Sequence, residues 1–160
     1  MRKSISAIAA ALTVALLLPA AAQAAWPVAT RASYLSQGYS SHHRADDIAA
    51  AWGTPIVPIR SGKVVFVGRK DACAGLEVYV SHGNGLYSTY FHMSSESVYR
   101  GQAVTRQVTR LGRVGESGCA TGPHVHVEVW RGYPWRSTSH RIDPWSYVDS
   151  GEYLPSRYDE

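Results

Sequence analysis

The chain has 160 residues, 45% of them hydrophobic, and its 16 lysines and arginines against 12 acidic residues give a formal net charge of +4. This length allows one domain with a genuine core. The charge is too small to indicate nucleic-acid binding, and no apolar run reaches the roughly 20 residues that a membrane-spanning helix requires.

The amino terminus has the pattern of a secretory signal peptide at residues 1–24. Arg2 and Lys3 precede an alanine- and leucine-rich run at residues 5–18, and small residues with an A-x-A cleavage pattern follow. We therefore expect a secreted protein, extracellular or in the cell wall, with a single domain at residues 25–160 and no stable membrane insertion. Loss of Arg2 and Lys3 lowers the net charge to +2, which suits a polyanionic cell wall. The short distance from the cleavage site to the first motif predicts activity without removal of a prodomain.

The first half of the mature chain predicts short strands. The turn-rich residues 26–41 favour an extended segment, and the residues after it favour a loop that runs into a short strand at Ile48. A β-branched run at residues 63–67 lies between two glycines and predicts a further strand. The pattern is that of a mainly antiparallel β domain.

A β-hairpin is predicted in the middle of the chain. Residues 76–80 alternate apolar and polar side chains, Asn84-Gly85 is the strongest short hairpin signal, and residues 86–92 form the returning strand. Strand alternation would place Tyr90 and His92 on one face.

Residues 101–118 are punctuated by glycines and predict short strands and turns. The expected buried positions there are Val104, Val108, Leu111 and Val114. Beyond Trp130 the chain is rich in aromatic residues and is predicted to be irregular.

The most informative stretch is Gly-Pro-His-Val-His-Val-Glu-Val at residues 122–129. On a strand, His124, His126 and Glu128 share one face while alternate valines share the other. Two imidazoles on a rigid strand suit a catalytic metal, although an isolated His-x-His pattern also fits an edge strand with solvated histidines.

A second cluster is ambiguous by spacing. His42 and Asp46 are four residues apart, and so are His43 and Asp47, so spacing does not decide which pair could ligate a metal. A third cluster, Tyr-Phe-His, ends at His92.

Taken in order, these motifs resemble the lysostaphin/LytM-type zinc metallopeptidases. The shared pattern is His-x-x-x-Asp followed by Ile-Ala and Gly-Thr-Pro, then Gly-Lys-Val-Val, His-Gly-Asn-Gly, Tyr-Phe-His-Met and Gly-Pro-His-Val-His-Val-Glu, between about Gly38 and Trp145. Ala45 departs from the family's usual glycine, and Val125 and Val127 replace its usual leucine and phenylalanine. The resemblance implies a single compact antiparallel β-sheet domain of the duplicated hybrid motif kind, with a groove that carries the zinc site.

The resemblance also implies the site residues. His43, Asp47 and His126 would bind one zinc ion per chain, and His92 and His124 would act in catalysis. A zinc-activated water, assisted by these two histidines, would hydrolyse peptide cross-links or stem peptides of bacterial peptidoglycan. We expect a monomeric zinc endopeptidase whose partners are peptidoglycan peptides and not nucleic acid.

Two other functions are less consistent with the motifs. A non-catalytic wall-binding module that activates a partner amidase would be expected to have lost at least one of the five site positions, and all are intact. A zinc D,D-dipeptidase or carboxypeptidase of another fold would separate its first His and Asp by more residues.

Cys73 and Cys119 are the two cysteines of the chain, and an even count in an exported protein predicts a disulfide. The alternative, two thiolate zinc ligands, lacks a C-x-x-C pair. His82 is expected to make structural hydrogen bonds, and Glu128 to support the site or face solvent.

Overall fold

The structure is a computed structural model that describes residues 25–147. The predicted signal peptide at residues 1–24 lies outside the described residues, as does the end of the predicted domain at residues 148–160. Between residues 25 and 147, no helix has the length and apolar character needed to cross a membrane.

The described residues form two antiparallel sheets, which confirms the predicted mainly antiparallel β fold. The elements are β1 Tyr34–Gln37, β2 Asp46–Ala49, β3 Pro55–Ile56, β4 Gly62–Gly68, β5 Glu77–Ser81, β6 Leu86–Phe91, β7 Ser95–Glu96, β8 Ala103–Val104, β9 Gly112–Arg113, β10 His124–Arg131, β11 His140–Ile142 and a 3-10 helix at Pro144–Ser146. The larger sheet has the order β1-β2-β10-β6-β5-β4-β8, with β11 also paired to β10, and the smaller has the order β3-β9-β7.

Strand β10 is the central strand of the site because it pairs with three others. Strand β6 lies along one edge of β10, and β2 followed by β11 lies along the other. In this register His126 is opposite Asp47 on one side and opposite Phe91 on the other. Cross-strand neighbours share a face, so these three side chains lie side by side on the sheet.

The opposite face of β10 is buried in the core, as the alternation predicts. Val125, Val127 and Val129 are at most 1% exposed and pack in one cluster with Ile48 and Tyr90. Burial of a valine side chain contributes about 1.5–3 kcal/mol, so this face anchors the strand and leaves the histidine face free to form a site.

Among the buried positions predicted in residues 101–118, three are confirmed and one is wrong. Val104, Leu111 and Val114 are buried, whereas Val108 is 45% exposed. Val108 lies in a turn whose backbone N–H donates to the Thr105 carbonyl, so its side chain faces outward.

The hairpin predicted at Asn84-Gly85 joins β5 to β6, and Asn84 has a left-handed backbone with φ of 48°. The predicted structural role of His82 is confirmed. Its Nδ1 lies 3.0 Å from the Ser61 carbonyl oxygen and its Nε2 lies 2.8 Å from Ser88 Oγ. Burial lowers the pKa of His82 to about 4, so it is neutral at ordinary pH.

Chain beyond Trp130 is more regular than predicted. Strand β10 continues to Arg131, and β11 pairs with its last three residues, from Val129 to Arg131. The three residues of β11 carry too little alternation to be recognised as a strand from the sequence alone. They form a strand because they pair with β10.

The predicted disulfide between Cys73 and Cys119 is present. It joins the loop before β5 to the loop before β10, and the Cys119 N–H also donates to the Cys73 carbonyl at 2.8 Å. The two loops are therefore held together both covalently and by a backbone hydrogen bond.

Replacing both cysteines by serine is expected to lower the free energy of unfolding by about 4 kcal/mol, because closure of a loop of this length restricts the unfolded chain. The two cysteines are 46 residues apart. Urea unfolding of the oxidised protein and of the Cys73→Ser/Cys119→Ser variant measures the difference, with the reduced wild type as a control that should match the variant. Equal urea midpoints for all three proteins would contradict the prediction.

Candidate metal centre

Three side chains that could ligate a metal converge where β2 meets β10. His43 Nε2 lies 3.1 Å from Asp47 Oδ2, and His126 Nδ1 lies 2.8 Å from Asp47 Oδ1. The three ligand atoms lie within 4.8 Å of one another. Two imidazoles and one carboxylate are the donor set of a common type of catalytic zinc site.

The tertiary structure distinguishes the two pairs that spacing leaves equivalent. His42 is exposed and its Nδ1 lies 2.9 Å from Ser41 Oγ. Asp46 and Asp47 are adjacent in β2 and face opposite ways, and Asp46 Oδ1 accepts a hydrogen bond from the Tyr39 N–H at 3.0 Å. The structure therefore places His43 and Asp47 at the centre, and His42 and Asp46 away from it.

His43 lies in a turn that precedes β2. The Ser40 N–H donates to the His43 carbonyl at 2.6 Å, and Ser40 Oγ accepts from the His43 N–H at 3.0 Å. This local turn directs the imidazole toward Asp47, four residues along the chain.

Backbone carbonyls orient three of the imidazoles. The Nδ1 atoms of His43, His92 and His124 lie 3.2, 2.8 and 2.8 Å from the carbonyl oxygens of Gly38, Ser117 and Gly122. A carbonyl oxygen only accepts hydrogen bonds, so each Nδ1 carries a proton, and in the neutral form of such a ring the lone pair is on Nε2.

His126 is oriented in the reverse sense. Its Nδ1 faces Asp47, and its Nε2 lies 3.5 Å from Glu128 Oε1, two residues along the same face of β10. A carboxylate that accepts from the outer nitrogen of a ligand histidine fixes both its tautomer and its ring orientation. The Phe91 ring stacks on the other side, with ring centroids 5.1 Å apart and an interplanar angle of 7°.

Glu128 lies directly behind His126, and the sequence marks it only by its place in the alternation. It is 1% exposed, and its carboxylate accepts hydrogen bonds from Trp130 Nε1 at 2.7 Å and Arg141 Nη1 at 2.9 Å. Thr89 Oγ1 donates to it as well, at 3.2 Å. The side chain is thus a fully satisfied buried anion directly behind His126, and not a solvent-facing residue.

His92 and His124 lie beside the three ligand candidates. Their ring centroids are 4.7 Å apart, and His124 Nε2 lies 3.8 Å from Asp47 Oδ1. Burial, with the neighbouring His124 and His126, lowers the pKa of His92 below its ordinary value even though its hydrogen bond to Ser117 opposes the shift. His92 is therefore a neutral imidazole near neutral pH.

The expectation that Tyr90 and His92 share a face is wrong. Strand β6 ends at Phe91, and His92 has a left-handed backbone with φ of 62°, which turns its ring toward His124 while Tyr90 stays in the core. A positive φ at a residue other than glycine is uncommon and is concentrated at functional sites.

The backbone of His92 is held by the two loops that the disulfide joins. Its N–H donates to the Ala74 carbonyl at 2.9 Å, next to Cys73, and its Nδ1–H donates to the Ser117 carbonyl, close to Cys119. The disulfide thus supports the unusual conformation of a site residue as well as the fold.

The electrostatics fit a bound cation. Asp47 Oδ1 is buried and makes no hydrogen bond, although His126 Nδ1 is only 2.8 Å away, so the two atoms are close without a well-directed N–H between them. Burial opposes ionisation of Asp47, but His126, with His43 and His124, holds the pKa of this carboxyl below its ordinary value. An ionised carboxylate oxygen without a hydrogen bond, surrounded by imidazoles, is a position that a metal ion would satisfy.

Burial lowers the pKa of His126, but the flanking carboxylates of Asp47 and Glu128 outweigh it and raise the value. The imidazole therefore favours a bound proton when no cation is present. Because metal ligands must be deprotonated, binding of a metal here releases that proton.

Two cavities adjoin the centre. One, of about 290 Å³, is lined by Tyr34, Pro123 and His124 among others. The other, of about 190 Å³, is lined by His92 and His126, together with residues that it shares with a larger cavity. Side chains of the centre are therefore accessible from two neighbouring cavities.

Residues 41–144 match the family model described as peptidase family M23. Peptidoglycan DD-endopeptidase ShyA of Vibrio cholerae is 37% identical over 111 residues, which are 69% of this chain and 25% of that protein. The chain therefore matches about a quarter of the length of this curated relative.

Two solved structures are similar in fold. A zinc-containing peptidase from Vibrio cholerae has a TM-score of 0.60 at 29% identity and covers 65% of this chain and 35% of its own. The catalytic domain of the antimicrobial peptidase lysostaphin from Staphylococcus simulans has a TM-score of 0.59 at 27% identity and covers 69% of this chain and 86% of its own.

Proposed function

Because the chain belongs to peptidase family M23, we propose that it is a secreted zinc-dependent endopeptidase that hydrolyses peptide cross-links or stem peptides of bacterial peptidoglycan. The family membership confirms the resemblance to lysostaphin-type peptidases seen in the motifs. The observation that carries the proposal is the Asp47 carboxylate, whose buried Oδ1 makes no hydrogen bond and which His126 approaches at Oδ1 and His43 at Oδ2.

In this proposal His43, Asp47 and His126 hold one zinc ion per chain. Zinc in a site of this kind polarises a carbonyl group and makes water a nucleophile near neutral pH. The chain's own contribution is to direct Nε2 of His43, Nδ1 of His126 and a carboxylate oxygen of Asp47 toward one another. The outer nitrogen of His43 donates to the Gly38 carbonyl, and that of His126 lies 3.5 Å from Glu128 Oε1.

His92 and His124 carry the proton transfers of the proposal. Each has its Nδ1 proton held by a backbone carbonyl, so each can accept a proton at Nε2. A histidine that has gained this proton can donate it in a hydrogen bond to the oxygen that becomes negative as the peptide carbonyl is attacked. The pair therefore places two Nε2 atoms beside the ligand candidates, and the one that takes the proton of the water becomes the donor.

The proposal includes the signal at residues 1–24, export to the cell wall or beyond, and a single monomeric domain at residues 25–160. The relative ShyA, whose name describes an activity on peptidoglycan, supports this location. The alternative of a non-catalytic wall-binding module is not favoured, since all five site side chains are present and gathered around one point.

The purified protein, freed of metal and then reloaded with one equivalent of zinc, tests the proposal. The zinc-loaded form is expected to release new amino termini from isolated sacculi, and the metal-free form to release none. Mass spectrometry of the fragments identifies the bond. Absence of new amino termini from sacculi with several cross-link types would overturn the enzymatic function.

Glu128 provides a test of the metal site that does not require activity. The substitution Glu128→Gln keeps the size of the side chain but removes the negative charge behind His126, and loss of such a supporting partner lowers metal affinity by about 10- to 100-fold. Zinc affinity measured by competition with a chromophoric chelator checks this. Glu116→Gln, at an exposed position, is the matched control and should bind zinc like the wild type. Equal affinities for all three proteins would contradict the role of Glu128.

A further inference from the structure

A large basic cavity lies next to the candidate metal centre. Its volume is about 580 Å³, and it shares Trp135 and Arg141 with the cavity that His92 and His126 line. The two cavities are therefore neighbours.

Three guanidinium groups line this cavity from three separate segments. Arg44 follows directly after His43, Arg136 lies in the connection between β10 and β11, and Arg141 lies in β11. His140 also lines the cavity, and none of the described residues that line it is acidic. The topology thus gathers positive charge from distant parts of the sequence in one cavity.

Aromatic rings hold each guanidinium in place. The Cζ atom of Arg141 lies 5.1 Å from the centroid of the Trp130 ring and 5.3 Å from that of Trp135. Trp135 is itself anchored, because its Nε1–H donates to the Tyr79 hydroxyl at 2.8 Å. Arg136 lies over the Tyr133 ring at 5.8 Å.

Arg44 is linked to Arg141 through one tyrosine. Arg44 Nη1 donates to the Tyr39 hydroxyl at 3.1 Å, and that hydroxyl donates to the Arg141 carbonyl at 3.4 Å. The guanidinium also lies 5.7 Å from the centroid of the Tyr39 ring. Groups that are fixed in this way lose less conformational entropy when a ligand binds.

The positive charge of the cavity is only partly compensated. Glu128 pairs with Arg141 at 2.9 Å, whereas neither Arg44 nor Arg136 forms an ion pair with a carboxylate of residues 25–147. Arginines that are oriented but lack an acidic partner are suited to a carboxylate, which a guanidinium can bind with two parallel hydrogen bonds.

We propose that this cavity binds a free carboxylate of the peptide substrate. The inference rests on the proposed function and deepens it, because it names acidic peptides as the substrate class. Arg141 contacts the same Glu128 oxygen that lies 3.5 Å from His126 Nε2, so the cavity begins next to the metal site. The recognised carboxylate therefore belongs to a residue close to the bond being cut.

Binding of soluble peptides tests the proposal separately from hydrolysis. The probes are a stem tetrapeptide with free carboxylates and the same peptide with its carboxylates converted to primary amides. The protein is zinc-loaded and carries His124→Ala so that neither peptide is consumed, and calorimetry gives both affinities. The free-acid peptide is expected to bind at least about tenfold more tightly, and less so at high salt.

Arg44→Gln/Arg136→Gln in the same background is expected to remove this preference and to leave the affinity for the amidated peptide unchanged. Both side chains are exposed, so the fold should tolerate their replacement. Arg141 is kept, because its removal would leave buried Glu128 without its ion pair. Arg100→Gln, at an exposed position that does not line the cavity, is the matched control and should retain the preference.

The outcomes separate this inference from the proposed function. Equal affinity for the two peptides, or an equal loss for both in the double variant, overturns the carboxylate site even if the wild type hydrolyses sacculi. A carboxylate preference that depends on Arg44 and Arg136 supports the site even if the wild type releases no new amino termini, a result that overturns the hydrolytic function alone.

Discussion

Replacing His126 by alanine is expected to lower the affinity for zinc by well over about 100-fold and to abolish hydrolysis with it. The reason is that His126 Nδ1 is one of three proposed ligand atoms, and it is the one closest to Asp47, at 2.8 Å. Loss of a ligand itself should exceed the roughly 10- to 100-fold loss that follows from removing a partner behind a ligand. Zinc content after dialysis against a weak chelator measures the effect.

The matched control for this substitution is His42→Ala. His42 is a histidine next to His43, but it is exposed and hydrogen-bonded to Ser41. The variant is expected to retain zinc at the wild-type level. If His42→Ala loses zinc and His126→Ala keeps it, the assignment of His43, Asp47 and His126 as ligands is wrong.

His124→Ala is expected to keep its zinc and to lose activity by about 10²- to 10⁴-fold, the range typical of removing a group that transfers protons. His124 shares the face of β10 with His126, but its Nε2 lies 3.8 Å from Asp47 Oδ1 and is not among the three converging ligand atoms. The substitution therefore removes a proton acceptor without removing a ligand.

Two measurements on His124→Ala are needed together. Zinc stoichiometry should equal that of the wild type, while the rate of release of amino termini from sacculi should fall. Circular dichroism excludes loss of the fold as the cause. A variant that loses zinc would place His124 among the ligands, and a variant with unchanged rate would remove it from the catalytic residues.

His124 and His126 illustrate which features of the site could be predicted from the sequence. The alternation in residues 122–129 is sufficient to predict a strand with valines on one face and His124, His126 and Glu128 on the other, and the structure confirms this. Period-two alternation is a local property, so the residues themselves carry it. The different orientations of the two imidazoles come from Gly122 and Glu128, which are neighbours in the same segment, and from Asp47, which the fold brings to His126.

The conformation of His92 lay beyond the local pattern. The sequence predicts the strand that leads to it, but alternation places its ring on the same side as Tyr90, which is wrong. The left-handed backbone is maintained by hydrogen bonds to Ala74 and Ser117, residues that are remote in sequence and are held by the disulfide loops. Such a conformation depends on tertiary contacts and leaves no signal in residues 86–92.

The sequence by itself determined the mainly β fold, the hairpin at Asn84-Gly85, the disulfide, and a shortlist of histidines and aspartates with the family to which they point. These follow from alternation, turn chemistry and motif order, all of which can be recognised in short segments of the sequence or in their order along the chain. Spacing left His43 and Asp47 equivalent to His42 and Asp46; the family resemblance pointed to the first pair, and the tertiary structure brings that pair to His126. Only the tertiary structure buried Glu128 behind His126 and gathered Arg44, Arg136 and Arg141 in one cavity. The physical reason is that strand register and loop packing decide which side chains meet, and both depend on contacts between residues far apart in sequence.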